Sequence, residues 1–404
     1  MKKVIIIGGG AAGLFAAVIS ARNGNEVTIC ERNPEPARKL NITGKGRCNL
    51  TNNCTRDEFF ENITHNAKFL YSAYAKFDCV KTMDFFETLG IKLKTERGNR
   101  VFPESDRAKD ISEALITECR RLGVIIKRFD VTKILTDEKT AVGVTDGADK
   151  IFGDKIIIAT GGKSYPKTGS DGTGYELIKN LGIGVTKLSP SLVPIICNEK
   201  YCREMMGLSL KNVRLDVIQN GKKLYSEQGE MLFTDFGISG PLVLSASAHI
   251  VNFSGLKIFI DLKPALDEKT LDNRILRDFG DNPNRIFQNA LDKLLPASMR
   301  PVMVALSGIS PDKQVNSITK EERKNLISLF KQFPLTPINF RPIDEAIITR
   351  GGVDVKEINA KTMESKQYKN LYFAGEIIDV DAYTGGFNLQ IAFSTAYSAA
   401  QDFE

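Results

Sequence analysis

The chain of 404 residues contains no tryptophan and only two histidines, His65 and His249. Its seven cysteines are an odd number and include no C-x-x-C pair. Structural zinc sites are built from clustered Cys and His ligands, and small secreted scaffolds from paired cysteines. The sequence therefore argues against a metal centre and against a disulfide framework, and its thiols are typical of a protein in a reducing cytoplasm.

Long apolar runs and a strong charge imbalance are also missing. The apolar residues near the N-terminus are interrupted by Gly8, Gly9, Gly10 and Gly13, and no run of 18 apolar residues occurs elsewhere, which argues against a signal peptide and a membrane span. The 55 basic and 49 acidic residues give a net charge of +6. We therefore expect a cytoplasmic protein with a small-molecule substrate and with neither nucleic acid nor membrane as partner. The sequence leaves the oligomeric state open.

The N-terminal segment has the pattern of a βαβ unit. The apolar, β-branched run Lys3–Ile7 predicts a strand buried on both faces. Ala11–Asn23 predicts a helix, and Glu26–Glu31 predicts a second strand. From Arg32 to Thr55 the chain lacks apolar periodicity, so we expect a long loop that lines a functional site.

The pattern changes twice further along the chain. Pro190, Pro194 and a type I′ turn signal at Asn220-Gly221 predict antiparallel β structure, whereas residues 266–333 have helical periodicity. The α/β pattern then returns. We therefore predict an α/β protein with these segments: 1–188, first part of the N-terminal domain; 189–265, first part of an inserted β domain; 266–333, helical insert; 334–350, return through the β domain; 351–404, second part of the N-terminal domain.

The segment Gly8–Gly13 has the G-x-G-x-x-G spacing that binds the pyrophosphate of a dinucleotide. The first glycine allows a tight turn, the second lets the pyrophosphate approach the backbone, and the third lets helix and strand pack closely. The helix N-terminus points free N–H groups at the anion, and a carboxylate after the second strand can bind ribose hydroxyls. The predicted cofactor-binding residues of this unit are Gly8, Gly10, Ala11, Ala12, Gly13 and Glu31. Both NAD and FAD contain the ADP half that such a unit recognises.

A second strand–turn–helix pattern near the C-terminus favours FAD. Leu371–Glu376 predicts a strand that ends in a glycine and a carboxylate, and Thr384–Gln390 opens a helix. The carboxylate can bind ribityl hydroxyls, and the helix N-terminus places a partial positive charge where reduced flavin carries negative charge. FAD is long enough to need both ends of the chain. We therefore predict non-covalently bound FAD, held here by Gly375, Glu376, Gly386, Asn388 and Leu389.

Five ordered segments carry a family resemblance: Arg38–Asn52 (RKLNITGKGRCNLTN), Gly169–Gly174, Gly229–Pro241, Thr349–Asn359 and Leu371–Gln390. Together they resemble a bacterial family of FAD-dependent oxidoreductases that includes the 3-dehydro-bile-acid Δ4,6-reductase and the aminoacetone oxidases. The resemblance covers essentially the whole chain. It implies a Rossmann-type FAD-binding domain that is split in the sequence, with an inserted antiparallel β-barrel-like domain and a small helical domain.

The same resemblance implies further cofactor contacts. Those around the pyrophosphate, ribityl and flavin groups are Lys39, Thr43, Gly44, Arg47, Cys48 and Asn49. The backbone of Val131 would hold the adenine, and an ATG-type turn would contribute Thr160, Gly161 and Gly162. We also expect Arg32 to bind the cofactor.

Cysteine spacing argues against a redox dithiol in the Arg32–Thr55 segment. Cys48 and Cys54 are spaced C-x5-C, whereas flavin disulfide reductases use C-x4-C or C-x-x-C. We therefore interpret Cys48 as a site-lining residue and Cys54 as incidental. With histidines scarce, Tyr383 is our candidate for proton transfer, and Lys45 is a second candidate for which phosphate binding is the alternative.

The predicted reaction is NAD(P)H-dependent reduction of an activated C=C bond, such as an enone in a steroid-like acid. NAD(P)H is expected as a transient donor, since no second G-x-G-x-x-G follows a later strand. Apolar residues between Leu192 and Ile196 and between Met205 and Leu208 could form a surface for a flat alkene, with core packing as the alternative. Oxidation of a small amine by O₂ is the main alternative reaction. An RNA-binding or RNA-modifying flavoprotein and a flavin-bearing sensor are minor ones.

Overall fold

The computed structural model describes residues 1–401. The chain forms two compact units: unit 1 contains residues 1–191 and the C-terminal segment from Ile343, and unit 2 contains residues 192–342. The helices are α1 (Ala11–Arg22), α2 (Arg38–Gly46), α3 (Arg56–Glu61), α4 (Tyr71–Lys76), α5 (Cys79–Thr88), α6 (Ala108–Arg121), α7 (Thr173–Lys179), α8 (Tyr201–Glu204), α9 (Pro241–Ser247), α10 (Glu268–Gly280), α11 (Arg300–Ser307), α12 (Lys320–Lys331) and α13 (Phe387–Ala400).

The strands are β1 (Lys3–Ile7), β2 (Glu26–Glu31), β3 (Thr51–Asn52), β4 (Ile63–His65), β5 (Leu93–Glu96), β6 (Arg100–Pro103), β7 (Ile125–Arg128), β8 (Lys133–Asp137), β9 (Thr140–Thr145), β10 (Lys150–Phe152), β11 (Lys155–Ile158), β12 (Ser189–Ser191), β13 (Ile195–Cys197), β14 (Ser209–Gln219), β15 (Lys222–Phe233), β16 (Gly237–Ser239), β17 (Leu256–Asp261), β18 (Phe333–Leu335), β19 (Pro337–Phe340), β20 (Ile348–Arg350), β21 (Leu371–Phe373) and β22 (Asp381–Ala382). Short 3₁₀ turns lie at Ala67–Leu70, Pro166–Thr168, Phe287–Asn289, Ala297–Met299, Val315–Ser317, Ile343–Glu345, Val355–Glu357 and Gly375–Ile377.

Unit 1 is built on a parallel five-stranded sheet with the strand order β21-β11-β1-β2-β7. The central strands β1 and β11 are rich in Val and Ile, and residues such as Ile6 and Ile157 are fully buried, as is typical of strands covered on both faces. Because the strands are parallel, their carboxyl ends meet at one edge of the sheet. Glu31, Thr160 and Gly375 follow or end strands at this edge.

Two helices from opposite ends of the chain, α1 and α13, pack against each other beside this sheet. The ring of Phe15 in α1 lies 5.2 Å from that of Phe393 in α13 and 4.9 Å from that of Phe77, measured between centroids. Such aromatic pairs stabilise by about 0.5–1.5 kcal/mol beyond the area that they bury. The last helix is therefore part of the same core as the first. Across residues 1–401, none of the helices combines the length and the apolar character needed to cross a membrane.

The segment Arg32–Thr55, predicted to be a loop, contains α2 and β3. The helix is interrupted, since Thr43, Gly44 and Lys45 depart from helical backbone angles and Lys45 has a φ of +60°. Leu40 is its only buried residue. The prediction of a continuous loop is thus wrong, and it failed because a helix with one buried side chain has no apolar periodicity to detect.

Unit 2 is built on a seven-stranded antiparallel sheet with the order β18-β17-β14-β15-β16-β13-β19. The β14–β15 hairpin turns at Asn220-Gly221, where both residues have positive φ, as a type I′ turn requires. β18 and β19 are the two edge strands. Only Thr336 separates these two strands in the chain; β18 pairs with β17 and β19 pairs with β13. The two ends of the sheet are thus joined by one continuous segment, which agrees with the predicted barrel-like form.

The predicted helical insert is not a separate domain. Leu271 of α10, Met303 of α11 and Phe330 of α12 are buried in the same core as the strand residues Leu215 and Ile260. Because the helices alone bury no separate core, residues 266–333 form one unit with the antiparallel sheet.

The boundaries of the insert also differ from the prediction. Residues 189–191 form β12, which pairs with β20 inside unit 1, so the chain leaves unit 1 after Ser191 and re-enters it at Ile343. Within unit 2, Ile195 and Met205 are fully buried. Core packing, and not a substrate surface, therefore explains these two apolar residues.

Candidate functional site

Unit 1 contains a cavity of about 840 Å³ at the carboxyl ends of its parallel strands, the edge at which α/β sheets bind ligands. This volume is within the roughly 300–1,000 Å³ of typical cofactor sites. Most of the predicted site residues line it: Gly8, Gly10, Ala11, Ala12, Glu31, Arg32, Lys39, Thr43, Gly44, Lys45, Arg47, Asn49, Val131, Thr160, Gly161, Gly375, Glu376, Tyr383, Gly386, Asn388 and Leu389. Gly13, Cys48 and Gly162 lie behind the wall.

The glycines between β1 and α1 have different surroundings. Gly8 has a φ of +101°, and a Cβ on Gly13 would lie 1.9 Å from the Gly8 carbonyl oxygen. Gly13 therefore serves the close packing of helix and turn. At Gly10 nothing lies within 4 Å of the place that a Cβ would take. No side chain of the described residues caps α1, so this open space beside its N-terminus is suited to a phosphate.

Glu31 holds the turn between β1 and α1 by hydrogen bonds and is only 8% exposed. Its Oε2 accepts a hydrogen bond from the Gly9 backbone N–H at 2.7 Å. Its Oε1 accepts from the backbone N–H and from Nδ2 of Asn33, both at 2.8 Å. Oε1 thus uses both of its lone pairs, whereas Oε2 keeps one, with which Glu31 can still accept a hydrogen bond from a ribose hydroxyl.

Glu376 is fixed by residues from distant parts of the chain. Lys39 Nζ donates to its Oε2 at 2.6 Å, and the Thr349 backbone N–H donates to its Oε1 at 3.0 Å. Ser164 Oγ lies 3.2 Å from the same Oε1 and accepts from Lys39 Nζ at 2.8 Å. The Lys39 and Glu376 side chains are 23% and 21% exposed. Lys39 therefore orients the carboxylate at the wall of the cavity.

The next segment contains one ion-paired residue and one buried thiol. Arg47 lies 2.5 Å from carboxylate oxygens of Glu96 and Asp106 and stacks on the Phe102 ring, 4.2 Å from its centroid. The contact with Arg47 lowers the pKa of Glu96 below its usual range, and hydrogen bonds from Lys94 and then Arg47 lower that of Asp106. Cys48 is fully buried, and its burial raises its pKa to about 12. The prediction that Cys48 lines the site is wrong, because its side chain is fully buried and is not part of the cavity wall.

In the turn after β11, one glycine lines the cavity and the next does not. Gly161, with a φ of +74°, lines the cavity. A Cβ on Gly162 would lie 2.5 Å from Thr349 Oγ1 and 2.9 Å from Glu376 Oε1. The missing side chain of Gly162 therefore lets Thr349 and Glu376 pack closely against the turn. The prediction that Gly162 lies at the cofactor cavity is wrong.

Arg32 holds a neighbouring loop and also lines the cavity. Its guanidinium donates to the Gly169 carbonyl at 2.7 Å and lies 2.6 Å from an Asp171 carboxylate oxygen. Burial opposes ionisation of Asp171, but hydrogen bonds from the Thr173 backbone N–H and from Arg32 keep the pKa of this carboxyl group below its usual value. Val131, which follows β7, lies in the cavity wall with its neighbour Asp130.

The turn before α13 forms another part of the wall. Gly386 has a φ of +98°, and a Cβ there would lie 2.3 Å from the Thr51 carbonyl oxygen. Asn388 accepts from the Ala382 backbone N–H at 3.0 Å and donates to the Ala382 carbonyl at 2.8 Å. This clamp fixes the turn that carries Tyr383. In the described part of the chain no side chain caps α13. Gly386, Asn388 and Leu389 at its N-terminus line the cavity together with Tyr383, so the positive end of the helix lies at the cavity.

The cavity wall fits FAD. Three of its residues have a buried polar atom that finds no hydrogen-bond partner within residues 1–401: Asn49 Oδ1, Thr160 Oγ1 and Ser170 Oγ. A buried polar atom without a partner costs about 1–3 kcal/mol, so this set indicates a polar ligand. The uncapped ends of α1 and α13 provide positive potential at two places, as a molecule with a pyrophosphate and a distant flavin requires.

Some residues of the wall were not predicted: Asn33, Arg100, Phe102, Tyr165, Ser170 and Thr349. Ser170 and Thr349 lie in two of the segments that carry the family resemblance, so a closer comparison could have found them. Arg100 and Phe102 belong to β6, an antiparallel strand with no binding motif. Only the fold brings them to the cavity.

Comparisons with known proteins agree with an FAD-binding role for this site. Residues 2–402 match the family described as HI0933-like protein Rossmann domain. The chain is 33% identical to the ribosomal RNA dihydrouridine synthase of Haemophilus influenzae over 98% of this chain and 97% of that protein. It is 30% identical to the 3-dehydro-bile acid delta(4,6)-reductase of Clostridium scindens over 99% of this chain and 98% of that protein.

Among solved structures, 3-ketosteroid-delta4-(5alpha)-dehydrogenase from Rhodococcus jostii has a TM-score of 0.50 and 13% identity, with 99% of this chain and 97% of that chain covered. This likeness shows a shared fold. The family match covers nearly the whole chain and confirms the resemblance found in the sequence. The segments that carry this resemblance contribute residues to the cavity wall. The chain therefore belongs to the HI0933-like Rossmann family and is an FAD-dependent oxidoreductase.

Proposed function

We propose that the protein reduces a C=C bond conjugated to a carbonyl group, with non-covalently bound FAD as cofactor and NAD(P)H as electron donor. The observation that carries the proposal is the pairing of the uncapped α13 N-terminus with Tyr383 at one cavity. The relatives' names support the same bond change. A Δ4,6-reductase and a dihydrouridine synthase both add two hydrogens across a ring C=C bond.

The residues have separate tasks in this reaction. Bound FAD supplies hydride chemistry at flavin N5. The positive end of α13 stabilises negative charge in the cavity, and Asn388 holds the turn in place. The phenol of Tyr383 donates a proton to the carbon next to the carbonyl. Lys45 also lines the cavity but is exposed, so water competes with it and Tyr383 is the better donor.

An enone in a steroid-like acid is the substrate class that we propose first. The Clostridium scindens relative supports it by name. A flat, largely apolar alkene also suits the apolar side chains in the cavity wall, which include Leu40, Ile42, Ile347, Val380 and Leu389.

A second candidate substrate is a uracil ring in ribosomal RNA. Relatives from Haemophilus influenzae and Escherichia coli, at 33% and 30% identity, are ribosomal RNA dihydrouridine synthases. The uracil C5=C6 bond is conjugated to a carbonyl, so the same hydride and proton transfers would reduce it. This candidate departs from our expectation that nucleic acid is not a partner.

The electron donor and the compartment are part of the proposal. Unit 2 is antiparallel, and no second G-x-G-x-x-G follows a later strand, which supports a donor that visits the flavin transiently. The seven cysteines are free thiols, which supports a reducing cytoplasm.

Anaerobic stopped-flow spectroscopy tests the reaction class. We expect NADH or NADPH to bleach the flavin absorbance and an enone to restore it. The Tyr383→Phe variant serves as the matched control, because it should bleach normally and be reoxidised slowly. Bleaching by aminoacetone but not by NAD(P)H, followed by H₂O₂ release in air, would instead establish an amine oxidase.

A second assay separates the substrates. Ribosomal RNA without dihydrouridine is incubated with the protein and NAD(P)H, and dihydrouridine is measured by mass spectrometry after digestion. Formation of dihydrouridine together with slow enone reduction would select uracil. Fast enone reduction without dihydrouridine would select the small molecule, and failure of both would refute C=C reduction.

A further inference from the structure

The Phe102 ring in the cavity wall is surrounded by basic side chains. Phe102 and Arg100 are two residues apart on β6, so their side chains lie on the same face of the strand. Both line the cavity, whereas Val101 between them is fully buried. The guanidinium carbon of Arg100 lies 6.0 Å from the centroid of the Phe102 ring, and that of Arg47 lies 4.2 Å from it. One ring therefore contacts two guanidinium groups.

Strand pairing places Arg100 beside the turn before α13. Arg100 pairs with Asn52 of β3, and residues paired across antiparallel strands have Cα atoms about 4.5–5.5 Å apart. Asn52 Nδ2 donates to the Gly385 carbonyl at 2.9 Å, in the turn that carries Tyr383. Arg100 thus lies at the end of the cavity proposed for the flavin, whereas the space proposed for the pyrophosphate lies beside Gly10.

Lys45 reaches the same region from the interrupted helix α2. A Cβ on the preceding residue, Gly44, would lie 3.5 Å from Phe102 Cε1, so this turn packs against the ring. Lys45 is exposed and lines the cavity. Its left-handed backbone, with a φ of +60°, is a conformation that residues with a side chain rarely adopt. Such conformations cluster at functional sites, which favours a task for this lysine.

The carboxylates of this region are already neutralised. Arg47 Nη2 lies 2.5 Å from a carboxylate oxygen of Glu96 and from one of Asp106. Lys94 Nζ lies 2.7 Å from the other carboxylate oxygen of Asp106. Two cations therefore balance two carboxylates, and this set as a whole is neutral.

Lys45 and Arg100 are positive charges in excess of this neutral set. Within residues 1–401, neither of them forms an ion pair with a carboxylate. Arg100 Nε donates to the Arg97 backbone carbonyl at 3.0 Å, which orients the guanidinium and leaves its two terminal NH₂ groups for a ligand. Two unbalanced cations at the wall of one cavity attract an anionic group.

We propose that Arg100 and Lys45 bind an anionic group of the substrate, a carboxylate or a phosphate, while its C=C bond lies at the flavin. Ile42, three residues before Lys45, is 46% exposed in the cavity wall and contacts the apolar part of such a substrate. The inference rests on the proposed function, because it concerns the substrate of the same reaction. The steroid-like acid carries the anion as a carboxylate, and RNA carries it as a phosphodiester.

Ligand binding to the oxidised holoenzyme without NAD(P)H tests this subsite independently of turnover. One pair of probes is a steroid enone with a side-chain carboxylate and its methyl ester. The other pair is a short uridine-containing oligoribonucleotide and its uncharged methylphosphonate analogue. A change in flavin absorbance reports binding.

We expect the charged member of one pair to bind at least about fivefold more tightly than its neutral counterpart, because a bidentate guanidinium pair is stronger than an ordinary exposed ion pair. A preference for the acid identifies the anion as a carboxylate, and a preference for the charged oligonucleotide identifies it as a phosphate. Equal affinities within both pairs, or no binding of any probe, would overturn the proposal. If a probe binds with this preference but is not reduced when NAD(P)H is added, the proposed function fails and the subsite stands.

Three variants test the residues themselves. Arg100→Gln should abolish the preference for the charged probe with FAD affinity retained, and a loss of FAD affinity would assign Arg100 to the cofactor instead. Arg97→Gln is the matched control, because it removes the same charge from an exposed side chain outside the cavity wall. It should keep the preference, and an equal loss in both variants would refute a subsite. Lys45→Gln should weaken binding of the charged probe alone, and equal weakening of the neutral probe would contradict the role of Lys45.

Discussion

The same substitution at two glycines of one motif is expected to have opposite effects. A methyl group at Gly10 meets nothing within 4 Å, and this residue has an extended backbone with a φ of −80°. Gly10→Ala should therefore leave the apoprotein as stable as before, or more stable by about 0.4–1 kcal/mol because the unfolded chain loses freedom. A methyl group at Gly13 would lie 1.9 Å from the Gly8 carbonyl oxygen. Gly13→Ala should cost at least about 3 kcal/mol of unfolding free energy.

Gly10→Ala is expected to weaken cofactor binding although it leaves the apoprotein stable. The methyl group of Gly10→Ala occupies the space proposed for the pyrophosphate, which must move away from the N–H groups of α1. A hydrogen bond to a charged group contributes about 1.5–3 kcal/mol, so losing one weakens FAD binding by about 10- to 100-fold. FAD titration followed by fluorescence quenching measures the affinity, and thermal unfolding of the apoprotein measures the stability.

A matched control is available at Gly280, the last residue of α10, where a Cβ likewise meets nothing within 4 Å. Gly280→Ala should change neither the affinity for FAD nor, beyond a small gain, the stability. Native FAD affinity in Gly10→Ala would refute the assignment of this space to the pyrophosphate. A Gly13→Ala protein with native stability would show that the close packing inferred for this turn is incorrect.

Three further predictions follow from the site and its surroundings. Glu31→Gln should weaken FAD binding by about 1–3 kcal/mol in the same titration, because a charged acceptor is lost; unchanged affinity would remove Glu31 from the ribose site. Tyr383→Phe should lower the rate of substrate reduction by about 10²- to 10⁴-fold with FAD affinity retained, as stopped-flow and titration would show. A hydrogen bond to Asp379 raises the pKa of His65 above its ordinary 6.5, so its contribution to stability is full below pH 6.5 and is lost as the pH rises through the raised pKa. His65→Gln should therefore lower the melting temperature at acidic pH only, and an equal effect at alkaline pH would contradict this.

The parts of the fold that depend on local pattern were predictable from the sequence. The strand Lys3–Ile7 is found as predicted, and the helix predicted to open within Thr384–Gln390 is α13. Continuous burial gives both elements a strong apolar signal in the sequence. The interrupted helix α2 was missed, since its conformation depends on left-handed residues such as Lys45 and on packing of one side chain, Leu40. Neither feature produces a periodic pattern of apolar residues in the sequence.

The residues of the candidate site were likewise predictable only in part. The glycines of the turn between β1 and α1 were identified by their spacing, whereas two of the residues that bind Glu376 were not predicted. Ser164 and Thr349 reach this carboxylate from positions far apart in sequence, and no local pattern connects them. Cys48 was misplaced for a related reason. Spacing shows that a residue lies near the site but not whether its side chain points inward or toward the cavity.

The divided sequence of unit 1 has a consequence for the time at which the cofactor can be bound. One wall of the cavity comes from residues before Ser191, and another comes from the turn and helix at 383–400. On the ribosome, residues 192–342 are synthesised complete before this second wall exists. Unit 2 is continuous in sequence and has its own core, so it can fold while the N-terminal part of unit 1 still lacks α13. FAD capture therefore has to wait until α13 has been synthesised, and a nascent chain stalled before Phe387 should emerge without bound flavin.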